Sequence, residues 1–331
     1  MQPTITHPVR THSTKRPYPH RVIGRYIGEE KGPLFIVFGA MHGNELAGVQ
    51  AVQQVLYLLE QEAETNADFV FSGQLIGLYG NWRAMQEGQR YIKRDLNRQW
   101  TSQNIARIQQ LDSETLEAED AEIHELLTCL LHEIQTYQPE EIVILDLHTT
   151  SAQGGIFSIV SEELKSLQIA VDLHAPVITG MMQGLEGTSL HYFSTALFNI
   201  PTTTLVFESG QHIEPDSTKR AISAIISCLR SIRCVEAFVV ESRHDHLLIE
   251  YARPLPKVTE LVYMHRISEE DHFKMKAGFK NFDRIEKGQL LATDKNGKIL
   301  SPTDGLILMP LYQQQGENGF FIVKEVYHGA Y

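Results

Sequence analysis

Residues 33–45 read PLFIVFGAMHGNE: an uninterrupted apolar run followed at once by a glycine-punctuated turn that carries His42 and Glu45. A run of this kind fits a strand buried on both faces, as in a parallel sheet. The next stretch, residues 44–62, has Leu46, Val49, Val52, Val55, Leu56 and Leu59 at helical spacing. Strand, turn and helix therefore follow one another directly. In open α/β sheets the edge where such a strand ends is where ligands bind.

The same alternation continues in both directions. Residues 21–28 and 74–79 read as strands. Residues 115–137 read as a helix, with Leu116, Ile123, Leu127, Leu130 and Ile134 on one side and Pro139 closing it. Residues 141–147 (EIVILDL) and 202–207 are again buried strands. Residues 216–232 form a helix with Asp216 or Ser217 as N-cap. Strands alternating with helices imply right-handed crossovers and an α/β fold: a mixed, mostly parallel central sheet with helices on both faces. After about residue 235 short β-type runs alternate with turns such as Lys287-Gly288 and Asp304-Gly305. We expect one domain over residues 1–240 and a smaller β-rich C-terminal domain over residues 241–331.

A length of 331 residues accommodates both. With 42% apolar and 21% charged residues, disorder, collagen-like repeats and coiled coil are excluded. No apolar run is long enough to span a bilayer, and the first twenty residues read as a loose arm without the apolar core of a secretory signal. Cys129, Cys228 and Cys234 give no disulfide framework and fit a reducing cytosol, so a cytoplasmic protein without a membrane partner is expected. The net charge of −12 argues against nucleic acid as partner. Most of the surplus lies in residues 111–141, ten acidic residues with no Lys or Arg, which reads as a solvated helical segment. Residues 83–98 run the other way, five basic residues against Glu87 and Asp95, which suggests a small anionic ligand.

His42 and Glu45 are three apart, so one helical turn would point both to one side. Imidazole plus carboxylate is a zinc-compatible pair, although a loop histidine and a first-turn carboxylate need no metal. ILDLHTT puts His148 just past another buried strand at the same edge of the sheet. Asp146, two residues earlier, shares its face and could orient the imidazole. A His-x-x-Glu pair plus a remote His leaves one coordination position open, the pattern of a catalytic zinc. HExxH is absent. Glu208 in LVFESG follows the apolar residues Leu205, Val206 and Phe207; it could move a proton between water and a leaving amine, or pair with an Arg, or cap the next helix. In RYIKRDLNR, Arg90, Arg94 and Arg98 are four apart and Asn97 adjoins Arg98. Arg forks bind carboxylates, and an exposed basic face is the plainer reading.

Taken in order, MHGNE at 41–45, RYIKRDLNR at 90–98, LDLHTT at 145–150 and FESG at 207–210 resemble the succinylglutamate desuccinylase and aspartoacylase family, a branch of the zinc carboxypeptidase-like fold. The resemblance implies a catalytic domain over residues 1–240 and one Zn²⁺ per chain on His42, Glu45 and His148. It implies Glu208 as general base and later acid, Asn97 and Arg98 on the substrate's carboxylate, and Arg90 polarising the scissile carbonyl. The implied substrate is a small anionic N-acyl amino acid. A metallocarboxypeptidase acting on peptide C-termini would need the same residues. A non-catalytic zinc-binding or lipoyl-carrier protein is the rival of another class, because residues 290–308 resemble a lipoyl or biotinyl half-domain with Lys295 near a hairpin tip. Against that, Asn296-Gly297 as a type I′ turn explains the hairpin alone.

The chain also departs from the aspartoacylase pattern. The second substrate-facing Arg of that enzyme has no counterpart, since residues 192–204 contain no Arg. The family's substrate-contacting Tyr falls near Phe320 and Phe321. N-acetylaspartate and succinylglutamate are therefore poor candidates. His244-Asp245-His246 reads as an exposed linker, with a second metal pair on a strand face as the alternative. A homo-oligomer is compatible with the sequence.

Overall fold

The apolar run becomes a strand whose residues 34–38 are wholly inaccessible. The computed structural model describes residues 17–161, 163–236 and 243–326. In chain order the first strands are β1 (Val22–Ile27), β2 (Glu30–Gly39), β3 (Ser72–Tyr79), β4 (Ile142–Thr150), β5 (Phe157–Val160), β6 (Val177–Thr179) and β7 (Thr202–Gln211). The C-terminal region adds β8 (Val258–Arg266), β9 (Lys274–Met275), β10 (Arg284–Ile285), β11 (Leu290–Asp294), β12 (Gly297–Leu300), β13 (Gly305–Leu308) and β14 (Asn318–Glu325). One eleven-stranded sheet runs β1-β3-β2-β4-β7-β5-β6-β8-β14-β13-β10, and β12-β11-β9 form a small second sheet. The β3-β2-β4-β7 centre is parallel; β1 and β5 pair antiparallel to their neighbours. The expected mixed α/β architecture is the one observed.

Successive side chains of each central strand enter opposite cores, which is why the strands read as continuous apolar runs. Phe35, Val37, Leu145, Leu205 and Phe207 pack with the helices Ala47–Thr65, Leu164–Asp172 and Pro215–Ser231. Leu34, Ile36, Phe38, Ile142 and Ile144 pack on the other face with the helix Ala118–Tyr137 and with Trp100 and Phe193. Each fully buried side chain of this size contributes about 1.5–3 kcal/mol. The register aligns Phe38 with Asp146 and Asp146 with Val206, and His148 with Glu208. β2, β4 and β7 thus end at one edge, and Asp146, His148 and Glu208 emerge there on the same side of the sheet.

Several local expectations are corrected. The helix expected at 216–232 begins at Pro215 with Glu214 as N-cap; proline fits the first helical position because its missing N–H would have no partner there. The β11–β12 hairpin turns at Lys295 and Asn296, between the paired Asp294 and Gly297; neither turn residue has a positive φ, so the turn is not type I′. Residues 244–246 lie in the helix Arg243–Ala252, not in a linker or strand, and the side chains of 244 and 245 lie outside the described residues. The boundary expected near residue 240 also falls outside them. The β-rich C-terminal region is present, and β8 pairs in parallel with β6, so its strands extend the large sheet. No helix among the described residues is long and apolar enough to cross a membrane. The three cysteines are buried and none of them is in a disulfide.

The acidic stretch is largely helical as expected but only partly solvated: Asp112, Glu114, Glu117 and Glu140 are exposed, whereas Glu119, Glu122, Glu125 and Glu133 are buried. Glu122 and Glu125 are buried against Arg21, itself fully inaccessible, and against Arg83. Glu122 also accepts the N–H groups of Trp82 and Arg83 at 2.7 and 3.2 Å. Glu133 pairs with Arg25 at 3.0 Å. Much of the surplus negative charge is thus internal counter-charge. Removing one partner of a buried pair leaves the other uncompensated. Arg21→Ala should therefore lower unfolding stability by about 3–5 kcal/mol, read from denaturant titration. An unchanged midpoint would mean that the network is hydrated.

Candidate active site

The ligand loop is built by close backbone packing. After β2, Ala40 takes φ +55°. A Cβ on Gly43 would lie 2.3 Å from the Ala84 carbonyl carbon and the Met85 nitrogen, so only glycine fits against the helix Trp82–Glu87. Gly43 N–H donates to Arg90 O at 3.0 Å, and Glu45 N–H donates to His42 O at 3.0 Å. His42 and Glu45 are brought together by this turn and not by a first helical turn, since the helix starts only at Ala47.

His42 Nδ1 lies 2.9 Å from Glu45 Oε1; His148 Nδ1 lies 3.1 Å from Glu45 Oε2 and 3.2 Å from His42 Nδ1. These ligand atoms fall within 4.8 Å of one another, all three residues are buried, and together they could hold a metal ion. The remote ring nitrogens each meet a carboxylate: His42 Nε2 is 3.1 Å from Asp95 Oδ1, and His148 Nε2 is 3.2 Å from Asp146 Oδ2. A ring N–H donated outward to those carboxylates leaves both Nδ1 lone pairs facing inward, the tautomer that a metal needs. Thr149 N–H donates to Glu45 Oε2 at 2.9 Å and steadies the third ligand.

The charges are unbalanced within this shell. Burial opposes ionisation of Glu45, yet His42 and His148 hold its carboxyl well below the usual range. Burial likewise opposes ionisation of Asp95, and Arg90 and His42 hold it low. His148 is pushed well up by Asp146 and Glu45 despite its burial. With neutral imidazoles, the cation in direct contact with this group among the described residues is Arg90, on Glu45 and Asp95, while Asp146 meets His148, so the donor set suits a divalent cation.

The loop from 90 to 98 supplies the other polar groups. It is held by Glu119 at the start of the helix Ala118–Tyr137: its carboxylate accepts the N–H groups of Ile92, Lys93 and Arg94 at 2.7, 3.0 and 3.1 Å. Arg94 turns outward to Asp120, whereas Arg90 and Arg98 line the cavity. Arg90 donates to Asp95 Oδ2 at 3.0 Å and Glu45 Oε1 at 3.3 Å, and its Nη2 lies 2.8 Å from His42 Nε2. With the His42 Nε2 proton given to Asp95, the Nη2 contact is not a hydrogen bond, and one Nη1 hydrogen is also uncommitted. Asn97 accepts from Ser189 N–H at 2.8 Å, and its Nδ2 lies 3.4 Å from His148 Nε2. Arg98 donates to the Asn97 carbonyl at 2.7 Å, and Glu317 sits 3.9 Å away.

Glu208 faces the cavity from β7, and its buried Oε2 has no hydrogen-bond partner. Burial pushes its carboxyl up to about 8, against the pull of His148. The cavity has a volume of about 110 Å³. Its outer wall is the C-terminal segment 309–318, tied down where Gln313 accepts from Asn44 at 3.1 Å and Gln315 bridges Arg90 N–H and Tyr91 O. Phe321 lines the cavity, whereas Phe320 packs into the β-rich region's own core.

The structure thus brings together all the expected site residues: His42, Glu45, His148, Asp146, Glu208, Arg90, Asn97 and Arg98. Sequence reading missed Asp95, Glu119 and His212, which meets Thr149 Oγ1 at 2.7 Å and Gln313 Oε1 at 3.1 Å. Asp95 carried a signal, a carboxylate within the basic run; the other two carried none.

A family model described as the succinylglutamate desuccinylase/aspartoacylase catalytic domain matches residues 31–232. The chain belongs to that family. Among solved structures, the succinylglutamate desuccinylase/aspartoacylase from Rhodobacter sphaeroides aligns with a TM-score of 0.58 at 14% identity, over 91% of this chain and 87% of that one. Murine aminoacylase 3 aligns with a TM-score of 0.58 at 18% identity, over 90% and 96%. At such identities the likeness concerns the fold. Comparison with curated proteins gives no match.

The raised Glu208 carboxyl makes the metal-free protein pH-sensitive. A folded-state value near 8 against 4.5 in the unfolded chain means that its contribution is fully present below pH 4.5 and lost as pH rises through 8. In metal-free protein, the melting-temperature advantage of Glu208→Gln over wild type should therefore grow between pH 4.5 and 8. Parallel profiles would mean that Glu208 ionises normally.

Proposed function

We propose that this family member is a zinc-dependent hydrolase that cleaves the amide bond of small N-acyl amino acids. The observation that carries the reading is the convergence of His42 Nδ1, His148 Nδ1 and the Glu45 carboxylate beside a buried, unpartnered Glu208 oxygen. Two imidazoles and a carboxylate with room for a further ligand suit Zn²⁺. The family itself is one of deacylases.

When bound there, zinc would lower the pKa of a coordinated water to about 7 and polarise the scissile carbonyl. Glu208 takes the proton of the attacking water and returns it to the departing amine. A carboxyl poised near neutrality suits both transfers. The remaining Nη1 hydrogen of Arg90 serves the carbonyl oxygen as negative charge grows on it. Arg98 binds the free α-carboxylate, and Asn97 holds that loop against Ser189 and His148. Asp95 and Asp146 keep the ligand imidazoles in the right tautomer. Residues 1–240 form the catalytic unit, and residues 241–331 wall the cleft. Cytoplasmic location remains our expectation.

The peptidase reading needs an open groove. A cavity of about 110 Å³ walled by segment 309–318, which Gln313 and Gln315 tie to Asn44 and Arg90, favours a small molecule over a chain. The carrier reading needs a presented lysine, whereas Lys295 pairs with Asp271 at 3.2 Å.

Two expectations follow for variants. His148→Ala should bring bound zinc well below one per chain by elemental analysis, whereas Glu208→Gln should keep the metal and lose about 10²–10⁴-fold in kcat. Undiminished zinc in the first or undiminished turnover in the second would remove that residue from its role. Arg98→Ala should chiefly raise KM, because the carboxylate is held alike in ground and transition states; Arg90→Ala should chiefly lower kcat. Steady-state kinetics showing the reverse split would exchange the two assignments.

A further inference from the structure

We infer that the cavity contains a dedicated apolar subsite for the amino-acid side chain of the substrate, so that N-acyl derivatives of large apolar amino acids are its preferred class. The inference rests on the deacylase reading above and adds the substrate class to it. Met181, Met182, Leu185 and Leu190 line one side of the cavity, and Leu311 and Phe321 close it from the C-terminal region. Met181, Leu190 and Phe321 are buried in the core between the sheet and that region. Met182 and Leu185 are only partly buried, so apolar surface is left facing the space where a ligand sits. Methionine is flexible and polarizable, suited to side chains of different shape.

The position of this wall decides which part of the substrate it meets. Ser189 N–H donates to Asn97 Oδ1 at 2.8 Å, and Trp100 N–H donates to Gly187 O at 2.9 Å. Gly187 has φ +70°, and a Cβ there would lie 2.3 Å from Arg98 O. Segment 181–190 and Arg98 are therefore one wall. The side chain leaves the carbon that bears the α-carboxylate, whereas the acyl chain begins only beyond the scissile carbonyl, at His42, Glu45 and His148; the wall that carries Arg98 therefore meets the side chain.

The polar groups of the cavity exclude the acidic alternative. Among the described lining residues, Arg90 is engaged by Asp95 and Glu45. His191 has both ring nitrogens engaged, by Thr188 Oγ1 and Met182 O at 2.8 Å each. His212 is engaged by Thr149 and Gln313. Arg98 remains for one carboxylate, and Glu317 beside it repels a second.

The test uses the zinc-loaded full chain. One substrate series varies the side chain with the acyl group fixed: N-acetyl-leucine, -methionine, -phenylalanine, -alanine and -aspartate. A second varies the acyl group with leucine fixed: acetyl, butyryl and hexanoyl. Leucine, methionine or phenylalanine should exceed alanine in kcat/KM by about tenfold or more, and aspartate by a larger factor. Leu185→Arg should lose about tenfold on N-acetyl-leucine and gain on N-acetyl-aspartate; Met182→Gln, a milder change, should narrow the leucine-to-alanine ratio. A flat side-chain profile, a preference for aspartate, or a gain that tracks acyl length would overturn the subsite and leave the deacylase intact. Hydrolysis of no N-acyl amino acid in either series would instead overturn the deacylase reading, and the subsite with it.

Discussion

Glu45 is a carboxylate with almost no access to water, held between two imidazoles, and its burial sets the terms for everything around it. An ionised carboxylate in such surroundings must be compensated. Arg90 supplies one charge from the side, but Asp95 and Asp146 behind the histidines add two more negative groups. The arrangement is therefore short of positive charge at the point where the Nδ1 atoms and the Glu45 oxygens converge. The same field explains the division of labour between the carboxyls. Glu45 and Asp95 stay ionised beside their cationic partners, whereas Glu208, with no partner for one oxygen, is pushed towards neutrality.

Precision in this cluster comes from backbone contacts more than from side-chain packing. Gly43 against the helix Trp82–Glu87 fixes the ligand loop, and its N–H bond to Arg90 ties that loop to the neighbouring one. Glu119 holds the Arg90–Arg98 loop by three backbone N–H groups. Gln313 and Gln315 then connect the C-terminal region to both loops. Three segments remote in sequence thus meet through hydrogen bonds that are mostly to main chain, the Asn44–Gln313 bond between side chains being the exception.

The strands and their order of burial were legible because β2, β4 and β7 are apolar on both faces, and a two-sided core leaves that signature. The candidate site residues were legible for a related reason: His148 and Glu208 are polar groups that break such runs at the strand ends. Glu119 and Glu122 were misread as solvated because a count of charges does not register burial; their compensation comes from Arg21, Arg83 and backbone N–H groups far away in sequence. His212 and Gln313 are 101 residues apart, and no spacing rule links them. The hairpin at Lys295 was misread because Asn-Gly suggests that those two residues make the turn, whereas Lys295 and Asn296 make it and Gly297 already pairs with Asp294.

The central claim is that two imidazoles and one carboxylate bind zinc beside Glu208. X-ray absorption at the zinc edge, on protein carrying one equivalent of the metal, tests it most directly. Coordination by His42, Glu45 and His148 should give nitrogen and oxygen neighbours at about 2.0–2.2 Å, outer scattering from two imidazole rings, and no sulfur at about 2.3 Å. A sulfur neighbour, or the signature of fewer than two imidazoles, would contradict it.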